Sequence, residues 1–178
     1  MNAQEFETKV LDFNSDQVIN KLRSLGAIEI PEFMYKRYVF NLETNDIEWI
    51  RLRQGNSEVT MTYKYKVKGN VSIGKTSEIE VTVSDFDKTS QILHKLPFKD
   101  VFYQESKRHI FKHNDIEYSI DTWPMLEPHL EVESHSLEKV DEGLKVLDLE
   151  GKDVGDKDIT SIYRERGIDM HRLVELKF

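Results

Sequence analysis

Charged residues occur in this chain as like-signed pairs two positions apart. Glu5 and Glu7 precede Lys9, Arg51 pairs with Arg53, and Lys64 pairs with Lys66. Glu78 pairs with Glu80, and Glu131 with Glu133, while Arg108 and Asp121 stand singly among apolar neighbours. Clustered carboxylates suit hard divalent cations, which take oxygen ligands and bridge protein to phosphate. Arg and Lys suit the phosphate oxygens, Arg through its planar fork of donors. Six cations (Lys9, Arg51, Arg53, Lys64, Lys66, Arg108) face seven anions (Glu5, Glu7, Glu78, Glu80, Asp121, Glu131, Glu133), a set near neutrality that holds both signs. A polyphosphate with its divalent ions satisfies both halves.

A spacing of two puts both members of a pair on one side of a β-strand, with Phe6, Val10, Ile50, Leu52, Ile79, Val81, Leu130 and Val132 on the other. The alternation predicts strands at Glu5–Leu11, Phe33–Leu42, Glu48–Gln54, Glu58–Lys66, Thr76–Val83, Phe102–Lys112, Ile116–Trp123 and His129–Ser134. Helices are expected from a Ser15 cap to Gly26, over Asp85–Lys95, from a Ser136 cap to Leu147, and over Ile159–Arg166. An ordinary antiparallel sheet turns such a charged face to water. Like charges side by side on one strand repel, however, so counter-charge must come from other strands. Strands of both signs closed into a barrel, charged inside and apolar toward outer helices, would supply it. The fold class is therefore α+β, one domain over 1–178.

The chain has 178 residues, 25 Lys+Arg against 33 Asp+Glu, a formal charge of -8 and no cysteine. The length allows a core without staples, and the missing cysteines exclude disulfides and thiolate metal sites. The start lacks signal-peptide character and no apolar run is long enough to span a bilayer, so a soluble cytoplasmic protein is expected, without membrane or nucleic-acid duplex partners. The acidic balance argues against a polyanionic substrate only as a surface average; the paired charges point the other way. The six histidines show no helical zinc-ligand spacing, and His129 lies on the charged face beside Glu131. Trp49 and Trp123 read as packing, and Gly151–Asp158 as a solvated loop.

These motifs, in order, resemble the CYTH superfamily, the triphosphate tunnel metalloenzymes. Glu5-Phe6-Glu7-Thr8-Lys9 resembles its ExExK signature. Arg51-Leu52-Arg53, Lys64-Tyr65-Lys66, Glu78-Ile79-Glu80, Lys107-Arg108, Asp121 and Glu131-Val132-Glu133 follow. Tyr38-Val39-Phe40 and Asp121-Thr122-Trp123-Pro124 look most like the class IV adenylyl cyclase branch. The resemblance implies an eight-stranded antiparallel closed β-barrel with helices outside, and Mg²⁺ or Mn²⁺, two ions, at Glu5, Glu7, Asp121, Glu131 and Glu133, supported by Glu80. It implies phosphate contacts from Lys9, Arg51, Arg53, Lys64, Lys66 and Arg108, with Arg37 as a further cation. Lys9, with its pKa depressed, would serve as a base, and Tyr163 would stand near the entrance. Conversion of ATP to cAMP and pyrophosphate is the implied reaction. Hydrolysis of inorganic, nucleoside or thiamine triphosphate is the alternative, and capture of polyphosphate without turnover is the second. A homodimer is also implied.

Overall fold

The computed structural model describes residues 6–44, 46–66 and 77–178. Its strands are β1 (Phe6–Val10), β2 (Ile28–Asn41), β3 (Ile47–Gln54), β4 (Val59–Lys66), β5 (Ser77–Val83), β6 (Asp100–His113), β7 (Ile116–Thr122), β8 (His129–Ser134) and β9 (Glu175–Leu176). The helices are α1 (Ser15–Ser24), α2 (Phe86–Leu93), α3 (Leu137–Val146) and α4 (Ile159–Glu165). All eight expected strands and four expected helices are present, and the α+β class holds. Ser136 caps α3 by accepting from the Lys139 amide, whereas α1 is capped by Asn14, one residue before the expected Ser15.

Two differences concern length. β2 begins at Ile28 rather than Phe33 and includes Pro31. The β3 ladder reaches only from Lys36 to Asn41 of β2, so Pro31 sits where one edge of the strand has no β3 partner to bond. The two-residue β9, parallel to β6 at Tyr103 and Gln104, is too short to show an alternation.

Strands bond in the order β1-β8-β7-β6-β2-β3-β4-β5, with β9 on β6, and the described ladders are antiparallel apart from β9. Among the described residues no ladder joins β1 to β5, so hydrogen bonding there leaves the sheet open where closure was expected. Part of the reason is local. The Lys9 amide and carbonyl at that edge of β1 are already bonded to Gly155 and Val154.

The chain divides into two compact units, Met1–Phe33 with Lys107–Met170, and Met34–Ser106 with His171–Phe178. In the first, α1 and α3 bury Val18, Leu22, Val140 and Leu144 with Val10, Phe111, Tyr118, Ile120, Leu130 and Val132 of the sheet. Leu22 is wholly buried, a gain of about 1.5–3 kcal/mol over leaving it exposed. Gly143 permits the close approach of α3, since a Cβ there would come within 2.9 Å of Val132 Cγ1. In the second unit, Phe86 and Leu93 of α2 pack with Phe40 and Leu52. In both, the helices cover the apolar side of the strands. No helix among the described residues is long and apolar enough to cross a membrane.

Candidate functional site

Strand register orders the charged face of the first unit into three rows. Lys112, Glu117, Glu133 and Glu7 lie side by side across β6, β7, β8 and β1. Ser119, Glu131 and Lys9 form the next row, and Arg108, Asp121 and His129 the third. This face is not a solvated one. Lys9, Asp121, His129 and Glu131 are all buried, with His129 only 3% exposed. Both sides of these strands are thus removed from water, and the charges must satisfy one another.

They do so in two linked groups. Arg108 grips Asp121 with two hydrogen bonds, 2.7 and 2.6 Å, and reaches Glu131 at 3.2 Å. The Lys9 ammonium lies 2.8 Å from Glu7 Oε1, 3.1 Å from Glu131 Oε2 and 3.5 Å from Asp156 Oδ1. Burial pushes the Glu131 carboxyl upward, but Arg108 and Lys9 outweigh it and hold the group below the usual carboxylate range. Glu7 goes the other way. Burial, a hydrogen bond with Asp156 and the neighbouring Glu131 push its pKa up to about 7 despite Lys9.

Lys9 corrects an expectation. A base must lose its proton readily, and burial alone would help; here Glu131 and Glu7 overcome burial and raise the Lys9 pKa above its ordinary value. Lys9 is held as a cation. Tyr163 corrects another: it is wholly buried on α4 with its hydroxyl donated to the Pro124 carbonyl at 2.5 Å, a packing position rather than an entrance.

Oxygens of Glu7, Glu131 and Glu133 lie within 4.8 Å of one another, a spacing at which all three can reach one ion. Glu117, next in that row, pairs with Lys112 at 2.9 Å. A cavity of about 670 Å³ opens where the row meets the β6–β7 turn, lined by Lys112, Glu117, Glu133, His113 and His135. The buried His129 Nδ1 has no hydrogen-bond partner, an orphaned polar atom in the same acidic face. Burial lowers the His129 pKa despite Asp121 and Glu131 nearby, which favours the neutral ring. An all-oxygen trio with Asp121 already committed to Arg108 fits a hard divalent cation at Glu7, Glu131 and Glu133.

The second unit carries the expected cations in matching rows. Arg37, Arg53, Thr60 and Thr82 align; so do Arg51, Thr62 and Glu80, and Trp49, Lys64 and Glu78. Arg37 therefore shares a face with Arg53, and its Nε donates to Gln104 at 2.7 Å. Lys64 pairs with Glu78 at 2.7 Å, and Thr62 donates to Glu80 at 2.5 Å. Burial, then Arg53 beside it, lowers the Arg51 pKa, and the buried Arg51 Nε has no partner. A cation in that condition is stabilised by an anion. Glu5 and the Lys66 side chain lie outside the described residues.

Sequence reading missed Thr60 and Thr62, although they alternate in phase with Lys64 and Lys66 and so carried a signal. Gly151–Asp158 is loop with Asp156 exposed, as expected, but no local pattern marks that Asp156 lies 3.5 Å from Lys9.

The chain resembles known proteins throughout. The family model described as "CYTH domain" matches residues 3–162. A protein of Methanocaldococcus jannaschii named "Putative adenylate cyclase MJ0240" is 34% identical over 148 residues, 81% of this chain and 83% of that one. Among solved structures, a conserved hypothetical protein of Pyrococcus furiosus has a TM-score of 0.65 at 20% identity, covering 88% of this chain and 98% of its own. A Hippeastrum protein named "Putative adenylyl cyclase HpAC1", described as having a dominant triphosphatase activity, has a TM-score of 0.52 at 10% identity, covering 91% of this chain and 95% of its own. At these identities the solved structures speak for the fold alone. The family model spans most of the chain, including the strands that bear every charged row: this chain belongs to the CYTH domain family.

Proposed function

We propose that this chain is a divalent-metal-dependent enzyme acting on a triphosphate, and that its reaction is the conversion of ATP to cAMP and pyrophosphate. The observation that carries the reading is the buried charged face of the first unit, where oxygens of Glu7, Glu131 and Glu133 come within 4.8 Å of one another beside Lys9 and Arg108. The Methanocaldococcus jannaschii relative's name supports cyclisation. Closure of the strands into an eight-stranded barrel belongs to this reading.

Glu7, Glu131 and Glu133 would hold Mg²⁺ or Mn²⁺, which supplies Lewis-acid polarisation of phosphoryl oxygens. Arg51, Arg53 and Lys64 neutralise phosphate charge, with arginine forks matched to paired oxygens. Arg51 already engages Thr62 and Glu80 through one guanidinium nitrogen, and its unpartnered Nε is left to donate to an anion, so part of the fork is set in place for charge that develops in a transition state. Lys9 acts as a fixed positive charge.

Hydrolysis is the second reading, since it asks only for an activated water where cyclisation needs a positioned ribose hydroxyl. Incubation with ATP, inorganic triphosphate or thiamine triphosphate and Mg²⁺ or Mn²⁺ separates the two. We expect cAMP and pyrophosphate from ATP. Phosphate release without cAMP establishes hydrolysis instead, and binding without any product overturns the enzymatic reading.

A further inference from the structure

The segment between α3 and α4 is fastened to β1 at three successive residues. The Thr8 hydroxyl donates to Asp153 Oδ2 at 2.9 Å. The Lys9 amide donates to the Gly155 carbonyl at 3.1 Å, and the Val154 amide to the Lys9 carbonyl at 2.8 Å. Val10 bridges to Asp153. Gly155 then turns with φ +70°, a conformation that strains residues bearing a Cβ. The turn delivers Asp156 to the Lys9 ammonium. Beyond it the segment is held again, by Asp158 capping α4 and by Lys157 paired with Glu165 at 2.8 Å. Asp156 is thus an exposed carboxylate in a fixed place.

The Lys9 side chain is only 9% exposed and is ringed by Glu7, Glu131 and Asp156. Two of these belong to the ion-holding trio. When Glu7 and Glu131 turn their oxygens to a dication, the buried ammonium loses both partners and gains a repulsive neighbour. Asp156 stands outside the trio, hydrogen-bonded to Glu7 and 3.5 Å from the ammonium.

We propose that Asp156 is a positioning residue that takes over the Lys9 ammonium when Glu7 and Glu131 engage a divalent ion, so that the segment 153–156 sets the ion affinity of the site. The inference rests on the metal-dependent reading above and deepens it.

The test measures Mn²⁺ affinity by paramagnetic resonance of the free ion at about pH 8, with no substrate present, so that Glu7 has lost its proton and the bond Asp156 makes to it does not mask the effect on Lys9. Wild type, Asp156→Asn, Lys9→Met and the double variant are compared. Asp156→Asn should weaken binding about three- to fivefold, the range of a partly exposed ion pair. With Lys9→Met already in place, the same substitution should change affinity by less than about twofold, because the two residues act as a unit. No effect of Asp156→Asn in the wild-type background overturns the proposal. So does an equal loss in both backgrounds, which indicates direct ligation. Should Lys9→Met fail to fold, the side-chain ¹⁵N resonance of Lys9 gives the answer in the Mg²⁺-loaded protein. Its protons should exchange slowly in wild type and rapidly in Asp156→Asn; slow exchange in both overturns the handover. Failure of the wild-type chain to bind Mn²⁺ overturns the metal-dependent reading itself, and so is a separate result.

Discussion

Two ion pairs on the β6–β7 ladder differ in burial and in valence, since Arg108 holds two carboxylates where Lys112 pairs with one. Arg108 lies opposite Asp121, and Lys112, four residues along β6, lies opposite Glu117. The first pair has side chains 23% and 8% exposed, the second 53% and 28%. Arg108→Met keeps length and apolar stem but leaves Asp121 and Glu131 without their guanidinium. Removing one partner of a buried pair costs about 3–5 kcal/mol, because the remaining charge is stranded out of water. Partial exposure of Arg108 places the expected loss near the lower end, about 3 kcal/mol. Lys112→Met removes an exposed pair and should cost about 0.2–1 kcal/mol. Urea unfolding followed by circular dichroism, with divalent ions chelated, measures both. The Arg108→Met loss should also shrink on acidification. Glu131, held low by Arg108 and Lys9 against burial, contributes stability that is present above its unfolded pKa and disappears as pH falls through its lower folded value. Losses for the two variants that agree within about 1 kcal/mol would refute the claim that this face behaves as interior.

Glu7 titrates with the opposite sign. The folded chain keeps its proton up to about pH 7, whereas the unfolded chain releases it near the ordinary glutamate value of 4.5, so metal-free stability should fall as pH rises through that window. Glu7→Gln should flatten that slope in denaturation series at pH 5 and 7.5, while Mn²⁺ binding by wild type should tighten as pH passes 7. Gly143→Val should destabilise by about 1–3 kcal/mol in urea unfolding, because the added carbons meet Val132, Ile116 and the Tyr118 hydroxyl. An unchanged midpoint would show that α3 rides higher on the sheet than described.

The readable part of this molecule was its periodic part. Glu7 with Lys9, Arg51 with Arg53, and Glu131 with Glu133 announce their strands because a spacing of two is a local rule, and the same rule placed Ile50, Leu52, Leu130 and Val132 on the opposite face. Register extended the reading without new signals, aligning Arg37 with Arg53 and Arg51 with Thr62. Asp156 was illegible for a different reason. Its position comes from backbone bonds between residues some 145 apart in the chain, and backbone pairing leaves no side-chain pattern. The charge state of Lys9 was misread for a third reason. Burial and counter-charge act in opposite directions, and their balance depends on distances that a sequence does not contain.

Glu117, Glu133 and Glu7 stand abreast on three neighbouring strands, an arrangement that repels itself. Lys112 pairs with Glu117 and Lys9 with Glu7, which offsets part of that repulsion, and on the metal-dependent reading a bound ion would offset more. A ligand at a hundred times its dissociation constant adds about 2.7 kcal/mol to the folded state. On the metal-dependent reading, stability is consequently not a fixed property of this protein but follows the free divalent-ion concentration of its surroundings, and a sample in chelator and a sample in millimolar Mg²⁺ should differ in how firmly they are folded.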